Sequence, residues 1–315
     1  MTVLKVNVTK ILVLRSISLI ILLGSVLGVS SCSLTKTASN ITSKILVRGA
    51  PVFEEEADIQ TAQTASLATL KTLEAFARDN PANRNYAVLL TKSYGNYAFG
   101  FIETEMLRHK YTDSDKYRTE WGRAKLFYAR GKDYGLNYLK RKSRFEKSLT
   151  QDLLTFQKVL RSYDRDDVDL LFWTAYCWGS WINLSKDDPE AITDLPRVEA
   201  MMARVLELKE TFFNAGPHLF YGVYYANRPP LLGGSPPKAL EHFETAIQLT
   251  NSRFLMAHIL EAQYYAVQIQ DKELFKQLLT VVLEAPADIL PSQRLANELA
   301  KERAKILLDR INYYF

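Results

Sequence analysis

The sequence predicts an all-α fold of antiparallel helix-pair repeats, and three observations carry that prediction. Only 13 Gly and 11 Pro occur in 315 residues, so long helices are rarely interrupted. Apolar residues recur at steps of three and four through most of the chain, the spacing that gathers them on one helix face. Small residues then recur inside apolar, aromatic stretches: Gly179, Gly222 and Ala262, separated by 43 and 40 positions, each followed three residues later by Ile182, Tyr225 or Tyr265. A small residue lets a partner helix approach and the large one fills the space beside it, so the recurrence marks a repeated helix pair.

The first 31 residues differ in kind from the rest. Lys5, Lys10 and Arg15 precede an apolar run from Ile17 to Val29, and no acidic residue occurs before Glu54. This is the layout of a secretory signal, with an apolar core short for a membrane span. Leu27-Gly28-Val29-Ser30-Ser31-Cys32 resembles a bacterial lipobox. By that resemblance residues 1–31 are removed and Cys32 is lipidated, giving an anchor through its acyl chains. Removing 1–31 takes three positive charges off the formal +5. The remainder is weakly basic and gives no case for nucleic acid. Cys177 is then the one cysteine besides the anchor, expected as a small buried apolar residue without a disulfide partner.

Residues 32–50, rich in Ser, Thr and Lys, read as a flexible tether, and 51–315 as the helical-repeat domain. Leu67, Leu70, Leu73 and Phe76 predict a helix within 57–77, ended by Asp79-Asn80-Pro81. A second helix, 84–107, carries Tyr86, Leu90, Tyr94 and Tyr97. The segment 108–147 holds thirteen Lys and Arg against five Asp and Glu, threaded with aromatics, and reads as an amphipathic helix pair with a solvated basic side. Packing partners of the three small-residue helices are expected over 197–208, 236–249 and 271–283, and a polar capping helix over 292–311.

The stretch Gly233-Gly234-Ser235-Pro236 reads as a structural turn opening one partner helix, with Ser235 accepting from free N–H groups and Pro236 at the first helical position. Ala239, Phe243 and Ala246 follow, small-large-small on one face, as in the second helix of a tetratricopeptide (TPR) pair. Pro236 and Pro237 remove two donors and no Gly-Lys-Ser/Thr ending is present, so phosphate binding is not expected there. His218 and His258 each precede a small residue by four and read as packing positions; no spacing suggests a metal or a catalytic triad. No cofactor is expected.

Positions away from the packing side form the candidate binding face. On the first helix these are Trp173, Tyr176, Ser180 and Asn183; on the second, Leu219, Val223, Ala226 and neighbouring Asn227; on the third, Met256, Ile259, Gln263 and Ala266. In a superhelical repeat such a face lines the concave surface.

The order of motifs is also recognisable: Trp173, Ala175 and Trp178-Gly179; Leu184-Ser185-Lys186-Asp187-Asp188-Pro189; Asp194-Leu195-Pro196; Arg204-Val205-Leu206-Glu207-Leu208; Gly233-Gly234-Ser235-Pro236 with Glu241-His242-Phe243; and Arg294-Leu295-Ala296-Asn297 before Arg303-Ala304. Together they resemble the T-component (TatT) family of tripartite ATP-independent periplasmic (TRAP) transporters, TPR-like lipoproteins. The resemblance runs from about residue 51 to the C-terminus and is weakest over 108–147. It implies a helical-repeat fold, no catalytic residues, and a periplasmic TRAP substrate-binding protein as partner. It admits a small organic or hydrophobic solute and a homo-oligomer. The expected location is the bacterial envelope, periplasm-facing, with Ser33 after the anchor favouring the outer membrane. The rival reading is a TPR-type scaffold in envelope or outer-membrane assembly.

Overall fold

The computed structural model describes residues 34–315, which form helices and turns and no strand. Cys32 and the signal segment lie outside the described residues. The chain divides into two units, ending at Arg48 and beginning at Gly49. Residues 34–49, expected as an irregular tether, are helical. No helix among the described residues is long and apolar enough to cross a membrane.

In the second unit, α1 (Ile59–Asp79) starts at Asp58, whose carboxylate accepts from Thr61 N at 2.6 Å. Asn83 caps α2 (Arg84–Tyr97) in the same way. This helix continues through a π-helical turn, Ala98–Ile102, into α3 (Glu103–His109). Asp113 caps α4 (Ser114–Leu139), and Asp152 caps α5 (Leu153–Leu160). Then come α6 (Val168–Asn183), α7 (Leu195–Lys209), α8 (Phe212–Ala226) and α9 (Pro236–Leu249). The chain ends with α10 (Met256–Leu260), which runs into a second π-helical turn, Glu261–Ala266, then α11 (Lys272–Glu284) and α12 (Arg294–Asp309).

Consecutive helices pack as pairs, α1 on α2, α6 on α7, α8 on α9 and α11 on α12, while α4 lies against both α2 and α6. The small-residue positions explain the closeness. A Cβ on Gly222 would fall 2.7 Å from the Phe243 ring, and one on Gly179 would fall 3.2 Å from Val198. Ala239, Phe243, Ala246 and Ala262 are wholly buried. Where α2, α4 and α6 meet, Gly95 and Gly131 make room for the Cys177 sulfur, which a Cβ at either would approach to 2.9 or 2.7 Å. Cys177 is free and buried, and its thiol donates to Thr91 O at 3.4 Å.

The basic segment is amphipathic as expected. Phe127, Tyr128, Leu136 and Leu139 of α4 are buried, while Lys116 and Arg118 face solvent, Arg123 pairs with Glu120 at 2.7 Å, and Lys132 lies 4.2 Å from the centre of the Trp181 ring. The Gly-Gly turn forms, with Gly233 at φ 84° and Pro236 at the helix start. Ser235, however, makes no side-chain cap; its backbone N–H instead donates to Tyr225 O at 3.0 Å, tying the turn back to α8. Entry to α8 was not foreseeable. Phe213, Asn214 and Ala215 take φ of 45°, 55° and 59°, a left-handed run without glycine in which Phe213 packs on Trp173 and Ala215 is buried.

Candidate functional site

The two π-helical turns lie on the wall of one cavity of about 420 Å³, a size that suits a small organic ligand. A π turn inserts a residue into a helix and re-aims the side chains around it. The first turn presents Phe99, followed directly by Glu103; the second presents Gln263 and Tyr264. Between them the wall is aromatic and aliphatic: Phe172, Trp173, Phe213, Leu219, Phe220, Phe254, Met256 and Leu260. The left-handed entry to α8 brings Phe213 edge-on to Trp173, with ring centres 4.6 Å apart. Gly216 follows on the same wall, where a Cβ would meet the Phe172 ring at 2.6 Å.

One part of the cavity wall is polar. Glu103 is half-buried and lines the cavity. Its Oε1 accepts from the buried Tyr128 hydroxyl at 2.6 Å. Burial pushes the Glu103 carboxyl above its ordinary range, and the Arg303 charge and the Tyr128 hydrogen bond oppose that push. Burial likewise raises the Tyr176 and Tyr264 hydroxyls, with the Glu103 charge adding to it. Arg303 is itself buried: its Nε donates to Thr104 Oγ1 at 3.0 Å, Nη2 donates to Phe99 O, and the guanidinium stacks 4.1 Å from the Phe99 ring centre. The side-chain oxygen of Gln263 is buried without a hydrogen-bond partner.

Elsewhere the wall carries Ser180, Asn183, Lys186, Asn227 and Arg228. Lys186 donates to Asn227 Oδ1 at 3.4 Å, and Arg228 folds over the Tyr224 ring at 3.6 Å while donating to Tyr224 O at 2.8 Å. Burial lowers the Arg228 guanidinium from its ordinary value.

Of the candidate binding residues, the structure brings Trp173, Tyr176, Asn183, Asn227 and Gln263 onto this one cavity, with Ser180, Leu219, Val223 and Met256. Ala226, Ile259 and Ala266 do not line it; they are buried in helix packing. Trp173 is 2% exposed, so it is as much core as wall. Glu103, Phe99 and Tyr264 were not among the candidates. Nothing in the apolar spacing around 98–102 or 261–266 separates a π turn from a regular one, and the one available signal was an acidic residue amid Phe99, Phe101 and Ile102.

A second polar contact also joins residues distant in sequence. His218 and His242 meet Nδ1 to Nδ1 at 3.0 Å, with Glu210 at 3.4 Å from His218 Nε2. No cluster of His, Cys, Asp and Glu able to hold a metal ion occurs among the described residues.

Fold and cavity thus define an all-α helix-pair protein built around an aromatic chamber with a polar end. The chain belongs to the TRAP transporter T-component family, whose model matches residues 55–315. It is a component of a TRAP transport system, with an accessory role in transport and an association with the cell envelope. A protein of Treponema pallidum (strain Nichols), described as uncharacterised, is 24% identical over 269 residues, spanning 84% of this chain and 82% of its own length.

Proposed function

We propose that this chain is a non-catalytic, lipid-anchored, TPR-like accessory of a TRAP system that binds the periplasmic substrate-binding protein and receives its solute in the cavity. The observation that carries the reading is the chamber itself: aromatic walls from α6, α8 and α10 with polar groups at two places, the arrangement that fixes a small ligand's position and orientation. Lipidation at Cys32 holds the protein at the outer membrane facing the periplasm, and a homo-oligomer is compatible with this role. Trp173, Tyr176, Asn183, Asn227 and Gln263 line the solute path.

The test uses the mature protein and the substrate-binding protein of the same transporter. Titration should show association, and mass spectrometry of native protein should recover an organic molecule. Ser180→Trp places an indole in the cavity and should abolish that recovery with an unchanged melting temperature. Truncating Trp173 would be a poorer choice, because emptying a buried aromatic site costs about 3–5 kcal/mol of fold stability. No association with the substrate-binding protein, alongside recovery of envelope-assembly proteins from native membranes, would favour the scaffold reading.

A further inference from the structure

We infer that the helix over residues 34–49 lies flat on the bilayer surface, its apolar stripe among the lipid chains and its cations against anionic phospholipid headgroups. The contact presupposes the acylation of Cys32 proposed above and is a second, non-covalent hold on the same membrane. Leu34, Ala38, Ile41 and Ile45 follow one another at steps of four, three and four, which sets them on one helix face. All four are exposed, Leu34 to 72%, Ile41 to 56% and Ile45 to 54%, while Ser39 and Ser43 on the opposite face are buried. The helix turns its apolar side outward and its serines inward, the reverse of a helix made to face water.

Charge decides what covers the stripe. Lys36, Lys44 and Arg48 are exposed on the same helix, and the chain has no acidic residue before Glu54. A second copy of this helix would bring the same cations and no carboxylate, so pairing would press like charges together. Anionic headgroups supply the opposite charge along its whole length. The reach of the chain agrees. Ser33 alone separates Cys32 from the helix, so Leu34 stays within about 7 Å of the acylated residue along the backbone. Standing upright from that point, the helix would leave Ile41 and Ile45 in water; lying flat, it buries both and keeps its cations at the phosphates. Three bulky side chains do not hold the protein there unaided. The acyl chains keep helix and membrane together, and the helix orients what they tether.

The test uses the acylated chain, its intact mass reporting the state of Cys32, in vesicles of phosphatidylglycerol and phosphatidylcholine. An environment-sensitive fluorophore is attached at Ile41→Cys or, on another face, at Asn40→Cys, by brief labelling that leaves the buried Cys177 untouched. We expect a lipid-borne quencher to act several-fold more strongly on the Ile41→Cys label than on the Asn40→Cys label. That difference should shrink in phosphatidylcholine alone and with Lys36→Gln, Lys44→Gln and Arg48→Gln combined, each cation being worth about fivefold in the surface equilibrium. Equal quenching at the two sites, or none at either, overturns the helix contact and leaves the anchor standing. On soluble Cys32→Ala protein, an Ile41→Cys label shielded from a water-borne quencher in step with protein concentration assigns the stripe to a second copy and likewise overturns it. A mass without acyl chains overturns anchor and helix contact together.

Discussion

His242 and Glu261 illustrate how single residues set the acid response of this fold. Burial, with the neighbouring His218 charge, holds His242 down at about 4 from an ordinary 6.5, so the folded state favours its neutral ring. Burial, with the Glu244 charge, pushes Glu261 up to about 7 from 4.5, so the folded state favours its protonated carboxyl. The signs are opposite. As pH falls from 6.5 to 4 the unfolded chain takes up a proton that folded His242 refuses, and stability declines; as pH rises from 4.5 to 7 the unfolded chain releases a proton that folded Glu261 keeps, and stability also declines. In the unmodified protein these slopes oppose each other between about 4.5 and 6.5. Together these two groups should therefore add little slope to the melting temperature there. Glu261→Gln should leave a fall toward acid, and His242→Phe a fall toward neutral. A Glu261→Gln protein that is as flat as the parent would show that His242 exerts no such pull.

At the scale of elements, the turn between α8 and α9 offers a ranked prediction. A Cβ on Gly234 would lie 1.9 Å from the Arg228 carbonyl oxygen, a backbone atom that cannot step aside, whereas Gly233 has open space and only its φ of 84° to protect. Gly233→Ala should cost about 1 kcal/mol or slightly more, the penalty of a side chain at positive φ. Gly234→Ala should cost visibly more and disturb Asn227 and Arg228 on the cavity wall; equal melting temperatures for the two would contradict the close approach. Most elements were legible from the sequence because burial repeats with the helix period. The expected 236–249 helix is α9, and Asp79-Asn80-Pro81 does end α1. The cavity wall was legible through Trp173, Tyr176, Asn183, Asn227 and Gln263, since a side chain off the packing face has few other places to go. What stayed hidden depends on a residue too many per turn or on the sign of φ, as at 98–102, 261–266 and 213–215. Neither leaves a compositional trace when no glycine or proline is required. The His218–His242 contact was hidden for another reason: 24 residues separate two rings that only the α8–α9 crossing unites.

For the whole molecule, attachment to the envelope and the helical body are separable. No helix among the described residues can span a bilayer, and the proposed anchor is a single modified residue. Cys32→Ala should abolish incorporation of labelled fatty acid and shift the protein from the membrane to the soluble fraction, while circular dichroism and melting stay unchanged. Persistent labelling of that variant would refute lipidation at this position. A body that folds without its anchor would also let the partner titration be done in free solution.

The Cys177 thiol, wedged under Gly95 and Gly131, has one more consequence. With Cys32 acylated it is the only sulfhydryl in the mature chain, and burial raises its pKa far above the range where a thiolate attacks reagents. Alkylation of the native protein can then proceed only when the crossing of α2, α4 and α6 parts. The chain carries its own stopwatch: the rate at which a maleimide or disulfide reagent consumes that one sulfur measures how often the centre of the molecule opens, with no label engineered in.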